Sequence, residues 1–388
     1  MQIIPRIRFY RFISLFAFLL LGFQGVIVHP VNGQAQTARQ PDVYQPPSLS
    51  NEGSWSMILL PDPQTYSKFG RNQGIFELMT AWIRENAKTL NIRLVLCTGD
   101  LVEQNYILTP DSVNGNQTSK EQWEAVSRGF SRLDGVVPYI LATGNHDYGY
   151  KSAENRYSQF GTYFPPDRNP LTEALLVEMA PNAAGVKTLE NACYELDPWG
   201  DGSHPKFLVF SLEFNPRQAV VDWAREVVAR PEYQGHTAVV LTHSYLKSHA
   251  LDNIHIVKEG YPLKDVTHGQ ALFQQLVQPS QTIQLTFSGH VADTEGHEGQ
   301  TGFRTDKNAA GKLVHQMMFN AQREAGGWHG NGGDGWLRIL EFLPDGKTVL
   351  VKTFSPFFAI SPSTRHLAWR KSELDEFSFQ LSETKGDQ

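Results

Sequence analysis

Five short apolar runs in this sequence each end in residues able to hold a cation or move a proton. The run 57–60 leads into Pro61-Asp62-Pro63-Gln64, and the run 94–97 into Thr98-Gly99-Asp100. The run 139–142 is followed by Thr143-Gly144-Asn145-His146-Asp147, the run 238–241 by Thr242-His243, and the run 283–287 by Ser288-Gly289-His290. Each has an ordinary explanation when taken singly. Gly-Asp is a common turn pair, Asn-His-Asp can cap a helix, and a histidine after a strand is usually a hydrogen-bonded loop residue. Five repetitions of one pattern are not accounted for in that way. Carboxylate, amide and imidazole donors together suit Zn, Mn or Fe. With only two cysteines, Cys97 and Cys193, a thiolate metal site is excluded.

The elements that must position these donors follow from periodicity. The five runs have the length and apolar content of buried strands. Ile75, Leu78, Met79, Trp82, Ile83 and Leu90 recur at helical spacing and form one stripe. A second helix starts after Thr118 or Ser119 and turns Trp123, Val126 and Phe130 inward. A third is expected at Asn215-Pro216, a cap followed by proline, with Val220, Trp223, Ala224 and Val227 buried. Alternating strands and helices predict an α/β domain with a largely parallel sheet. In such sheets ligands bind at the carboxyl ends of the strands, where all five donor groups lie. The stretch 164–191 lacks periodicity and reads as a peripheral insertion. Beyond Gly299, the runs 313–319, 336–342 and 349–354 read as successive strands, with a Gly-rich loop and an Asp345-Gly346 turn between them. A final edge strand is expected at 377–381. One domain with two packed sheets is the economical reading.

Residues 1–35 are a separate matter. Arg6, Arg8 and Arg11 precede an apolar run over 12–28, and Asn32-Gly33-Gln34-Ala35 follows, the order of a secretory signal peptide. The run comes close to the length of a membrane anchor, but Gly22, Gln24 and Gly25 interrupt it, so cleavage near Ala35 and a secreted or periplasmic location are expected. The predicted organisation is a signal peptide over 1–35, a linker over 36–53, a catalytic domain over 54–360 and a C-terminal extension over 361–388. Losing the three arginines takes the formal charge from −6 to −9. Neither value suggests a nucleic-acid-binding surface, and an anionic substrate would need a local positive source. Cys97 and Cys193 have two readings, a disulfide or two buried thiols.

In order and type, Asp62-Pro63-Gln64, Gly99-Asp100, Gly144-Asn145-His146-Asp147, His243 and Gly289-His290 resemble the signature of the calcineurin-like metallophosphoesterases. The likeness extends over about residues 54–356. It implies a four-layer α/β/β/α sandwich and two divalent or trivalent metal ions, Mn, Fe, Zn or Mg. By position, Asp62 and Gln64 would bind the first metal and Asp100 would bridge both. Asn145, His243 and His290 would complete the second. The implied activity is hydrolysis of phosphate esters by metal-activated hydroxide, with His146 as general acid. Asp147 would fix the His146 tautomer and keep the ring cationic, or else cap a helix. The partner implied is a phosphorylated small molecule or another phosphoester.

Two positions depart from the family pattern. Ala292 stands where the family has the last histidine of Gly-His-x-His, and Gln64 stands where many members have histidine. The first site has therefore lost two nitrogen ligands. His297 is a candidate replacement, or an exposed loop residue. The loop 326–336 and its surroundings, with Gln322, Asn331-Gly332 and Gly335-Trp336, resemble a secreted bacterial branch of the family. Trp328 in that loop is a candidate for stacking on an aromatic substrate group, and Arg156 for contacting phosphate; a hairpin connection and a surface salt bridge are the alternatives. The rival to an enzyme is a non-catalytic or single-metal binding protein on the same fold.

Overall fold

The computed structural model describes residues 44–292 and 296–382. The predicted signal peptide lies outside the described residues. Strand β1 (Trp55–Leu60) is buried from end to end and pairs in parallel with β2 (Ile92–Cys97), which pairs in parallel with β3 (Tyr139–Leu141). On its other side β1 pairs antiparallel with β11 (Leu337–Phe342), and β11 with β12 (Thr348–Phe354). Two short strands, β13 (Trp369–Arg370) and β14 (Phe377–Gln380), complete this sheet on β12. The second sheet contains β4 (Leu176–Pro181), β5 (Lys187–Leu196), β6 (Phe207–Ser211), β7 (Thr237–Leu241), β8 (Ile283–Ser288), β9 (Thr301–Lys307) and β10 (Leu313–Phe319). Its order is β4-β5-β6-β7-β8-β10-β9, with β6, β7, β8 and β10 parallel.

Successive side chains on a strand face opposite ways, which explains why the central strands are apolar throughout. Met57 and Leu59 point into a core between the sheets, against Phe207, Val209, Val239, Leu285 and Phe287. Trp55 stacks on Phe342 at 4.0 Å and meets Phe207 edge-on at 5.3 Å, an aromatic set that ties one sheet to the other. Ile58, Leu60, Val95 and Cys97 point outward onto the helices Gln73–Asn86 and Ser119–Ser131 through Phe76, Met79, Ile83, Trp123, Val126 and Phe130. On the far side, Leu208, Phe210, Ala238 and Val240 pack against Val220, Val221, Ala224 and Val227 of the helix Gln218–Val228. These layers are the α/β/β/α sandwich. Thr118 begins the second helix with a reciprocal cap: its hydroxyl accepts from Glu121 N–H, and Glu121 accepts from Thr118 N–H at 2.7 Å. Among the described residues no helix is long and apolar enough to cross a membrane.

Several expectations are corrected. The stretch 164–191 is not a peripheral insertion: it contains β4 and the first half of β5, whose continuation carries Ala192 and Tyr194 into the core between the sheets. An edge strand such as β4, only partly buried, leaves little alternation to read. The second sheet is parallel at its centre and antiparallel at both flanks, whereas the first is parallel from β1 to its β3 edge and antiparallel from β1 through β11 and β12. The third helix begins at Gln218 with Arg217 as its cap residue. Asn215 instead takes a left-handed backbone (φ 44°) and donates to Glu259 at 3.0 Å. Cys97 and Cys193 are free and buried on opposite outer faces of the sandwich. At the two ends, Ser50 donates to Glu341 and Trp369 Nε1 donates to the Gln45 carbonyl at 2.8 Å. Segments flanking the predicted domain therefore pack onto it.

Candidate metal centre

The carboxyl ends of β1, β2 and β3 in one sheet and of β7 and β8 in the other deliver the five predicted donor groups. Tight crossings bring them together. A Cβ at Gly144 would lie 2.1 Å from Asp100 Oδ1, and one at Gly289 would lie 2.0 Å from Asp62 Oδ1. The glycines before Asn145 and His290 are what let these loops cross. Asp100 (φ 49°) and His290 (φ 70°) adopt left-handed backbone conformations, at a cost on the order of 1 kcal/mol each. That strain is tolerable where surrounding contacts hold the conformation.

Four lone-pair atoms converge. His243 Nδ1 donates to the Thr98 carbonyl at 2.8 Å, which leaves Nε2 facing inward. Nε2 lies 3.0 Å from Asp100 Oδ2, 3.2 Å from Asn145 Oδ1 and 3.2 Å from His290 Nδ1. Asn145 Nδ2 donates to Ser152 at 2.9 Å, so its Oδ1 turns in, 2.9 Å from His290 Nδ1. The other His290 nitrogen, Nε2, is 2.6 Å from Glu259 Oε1. Glu259 also accepts from Ser244 at 2.7 Å and from Asn215. Burial would raise the Glu259 pKa, but its bond to His290 and the charge there bring it down to about 2. Four acceptors this close repel one another unless a proton or cation sits among them. A tetrahedral ion with bonds of roughly 2.1 Å separates its ligands by about 3.4 Å, so the set fits a metal ion. Asp100, His243 and His290 are the compact His/carboxylate group among the described residues.

The electrostatics agree. Burial pushes the Asp100 pKa up, but His243 and His146 outweigh it and hold it near 2. Burial pushes His243 down, yet Asp100 and Asp62 raise it to about 10.

Asp62 and Gln64 flank this set. Asp62 is fully buried; Oδ1 accepts from Thr98 Oγ1 at 2.6 Å, and Oδ2 from Asn320 Nδ2 at 2.7 Å and His290 N–H at 2.9 Å. Its burial, opposed by His243, sets the pKa at about 6. Gln64 Nε2 donates to Glu103 Oε2 at 3.2 Å, and its buried Oε1 has no hydrogen-bond partner, as a cation ligand would not. His297 does not fill the position that Ala292 leaves. Its Nε2 is 2.7 Å from Asp375, and its Nδ1 3.5 Å from Glu324, so both nitrogens face ion pairs beside the C-terminal segment.

His146 is half-buried beside the centre. Its backbone N–H donates to Asp100 Oδ1 at 2.9 Å, and its ring Nδ1 lies 2.6 Å from the Glu103 carbonyl. Burial lowers its pKa, but Asp100 and Glu103 more than offset this, so the ring pKa rises. Of the two readings of Asp147, the structure shows the cap, on the short helical turn Asn145–Asp147. Asp147 accepts from Gly144 N–H at 2.8 Å and Val102 N–H at 3.1 Å and braces the loop, while Glu103 holds the imidazole. Burial and Asp100 raise the Asp147 pKa to about 7. For Arg156 the salt-bridge reading is the one found, although the pair is buried: its guanidinium faces Glu213 at 3.5 Å and donates to the carbonyls of Phe214, Asn215 and Asp265. Trp328 does lie at the site, its ring 6.2 Å from that of His146.

Four contributing residues escaped the sequence reading. Asn320 follows β10, a strand parallel to β8, so it is a sixth case of the strand-then-donor pattern. Glu103 follows Gly99-Asp100 closely enough to have been considered. Glu259 lies in an irregular loop and Lys68 just after a four-residue helix; neither carries a local signal. Lys68 is fully buried, with Nζ 3.6 Å from Glu103 and 3.4 Å from the centre of the Trp328 ring. Burial, opposed by Glu103, lowers its pKa to about 8, so it stays charged at neutral pH.

Several known proteins resemble this chain. The uncharacterized protein YvnB of Bacillus subtilis (strain 168) is 25% identical over 331 residues, covering 84% of this chain; the chain spans only 22% of that relative's length. Among solved structures, GAP50, the anchor in the inner membrane complex of Plasmodium, aligns at a TM-score of 0.46 and 10% identity, covering 86% of this chain and 90% of that one. A putative 5'-nucleotidase from Staphylococcus aureus aligns at 0.37 and 12% identity, covering 86% and 55%. The model of the calcineurin-like phosphoesterases matches residues 58–293, a span containing all the strand-end donors but Asn320, and the chain belongs to that family.

Proposed function

We propose that the chain is an exported hydrolase of phosphate esters, a phosphomonoesterase or phosphodiesterase acting on phosphorylated small molecules at a dinuclear metal centre. The observation that best supports this is the convergence of Asp100 Oδ2, Asn145 Oδ1, His243 Nε2 and His290 Nδ1, with the His146 ring alongside. Those four residues would hold one metal ion; Asp62 and Gln64, sharing Asp100, would hold the other. When bound, the metals supply positive charge to phosphoryl oxygens and make water acidic enough to serve as nucleophile near neutral pH. The chain does the rest. Thr98 and Glu259 fix the faces that His243 and His290 present. The Glu103 carbonyl accepts from His146 Nδ1–H and leaves Nε2–H free to protonate the leaving alkoxide. Asp100 and Glu103 favour the cationic ring that this proton transfer needs. The arginine-led apolar run over 1–35 supports export.

The test is hydrolysis of p-nitrophenyl phosphate and bis(p-nitrophenyl) phosphate by the metal-loaded mature protein. Chelation and Asp100→Asn should each abolish it. No turnover with Mn, Fe, Zn or Mg would refute the reading. One observation favours a single-metal binding protein: both Asp62 oxygens already accept hydrogen bonds, and Ala292 offers no ligand. Metal content separates the two, since the dinuclear enzyme should carry two ions per chain.

A further inference from the structure

A phosphoester needs positive charge beyond its metals, and the arginines around this site are engaged. Arg156 is committed to backbone carbonyls, Arg323 donates to the Ala292 carbonyl at 2.8 Å, and Arg71 donates to the His329 carbonyl at 2.7 Å. Lys68 differs. Its side chain has no solvent exposure, and Nζ, with three donors, makes no hydrogen bond. Its counter-ion Glu103 stands 3.6 Å away, beyond hydrogen-bond length, and the Trp328 indole covers the ammonium at 3.4 Å.

Three links place this ammonium at the catalytic centre. The Glu103 carboxylate accepts from Gln64, and the Glu103 carbonyl holds the His146 ring. Trp328, which covers Lys68, also flanks His146. A buried ammonium with empty donors is costly, and a methionine would fill the same space without that cost. The cover is one that can be exchanged. An aromatic face attracts a cation without using its hydrogen bonds. Trp328 is half-buried and sits in a loop where Ala325, Gly326 and Gly327 take left-handed backbone conformations.

We propose that Lys68 is a phosphate-binding residue whose ammonium takes up a phosphoryl oxygen of the substrate, or of product phosphate, in exchange for the indole of Trp328. This rests on the phosphoesterase reading and adds to it the group that receives phosphoryl charge on the His146 side.

The experiment is isothermal titration of inorganic phosphate into metal-loaded protein, with metal content measured on the same samples. Lys68→Met should weaken phosphate binding by roughly tenfold to a hundredfold while metal content stays unchanged. Equal affinities in the wild type and Lys68→Met would overturn the assignment and leave the phosphoesterase reading standing. A wild type that binds no phosphate would overturn the assignment of Lys68, while the phosphoesterase reading stands or falls separately on turnover. If Lys68→Met does not retain metal, Trp328→Ala decides: tighter phosphate binding supports an uncovered ammonium as the contact, and equal or weaker binding overturns it.

Discussion

Glu259 lies outside every motif in the sequence, yet the geometry makes it the residue that aims His290, a proposed metal ligand. Its Oε1 lies 2.6 Å from His290 Nε2, and its Oε2 accepts from Ser244 and Asn215. With Nε2 fixed there, Nδ1 is the nitrogen that faces His243 and Asn145. Glu259→Gln replaces one acceptor oxygen with a donor amide among neighbours that already donate. One contact must be lost, and the ring gains freedom to turn. Loss of a hydrogen-bonded partner to a metal-bound histidine lowers metal affinity by roughly 10–100-fold, about 1.4–2.8 kcal/mol. Glu259→Ala should fall at the upper end, because it also removes the charge that balances the cation. The assay is competition between apo-protein and a chelator of known affinity for Zn or Mn, with the thermal midpoint of the apo-protein as a folding control. If both variants bind metal within about threefold of wild type, a factor of less than 1 kcal/mol, Glu259 does not position His290 and this account of the centre is wrong.

Two further predictions test the fold around the site. Gly289→Ala places a methyl group 2.0 Å from Asp62 Oδ1 and 2.7 Å from Thr98 Oγ1, and should destabilise the protein by about 1–3 kcal/mol with loss of metal binding. Gly74→Ala, in the helix Gln73–Asn86 with nothing near the new methyl, should be neutral or stabilising by up to about 1 kcal/mol; matched denaturant melts of the two variants check the contrast. The third prediction concerns pH. His255 is buried, bonded to Gln316 at 2.8 Å and stacked on Phe273 at 4.5 Å, and burial holds its pKa below the usual value. Below pH ~6.5 the unfolded chain binds the extra proton first, so stability should be full above that pH and decline as pH falls through it, by up to about 1.4 kcal/mol per pH unit. His255→Gln should have a shallower decline in thermal midpoint between pH 7.5 and 5.5; an unchanged slope would exclude this histidine as a source.

Local chemistry made much of this protein legible in the sequence. Continuous apolar runs such as 57–60 suit strands buried on both faces, and the stripe through Ile75, Met79, Trp82 and Ile83 suits a helix lying on a sheet, with Phe76 added to it by the structure. The recurrence of donors after those runs located Asp62, Asp100, Asn145, His243 and His290, because parallel strands bring their carboxyl ends to one edge whatever the loops do. What tertiary structure alone decided is which atoms each donor has left to offer. Arg156 and Asp147 each had two readings by type, and the choice was made by backbone groups as remote as Phe214, Asp265 and Val102. His290 presents Nδ1 because Glu259, thirty-one positions earlier in an irregular loop, lies against Nε2. The buried ammonium of Lys68 depends on Glu103 and Trp328, which share no local pattern with it. Sequence periodicity records which face a residue turns to the core. Hydrogen bonds and ion pairs between remote loops leave no period, and it is they that fix the direction and charge of each functional atom.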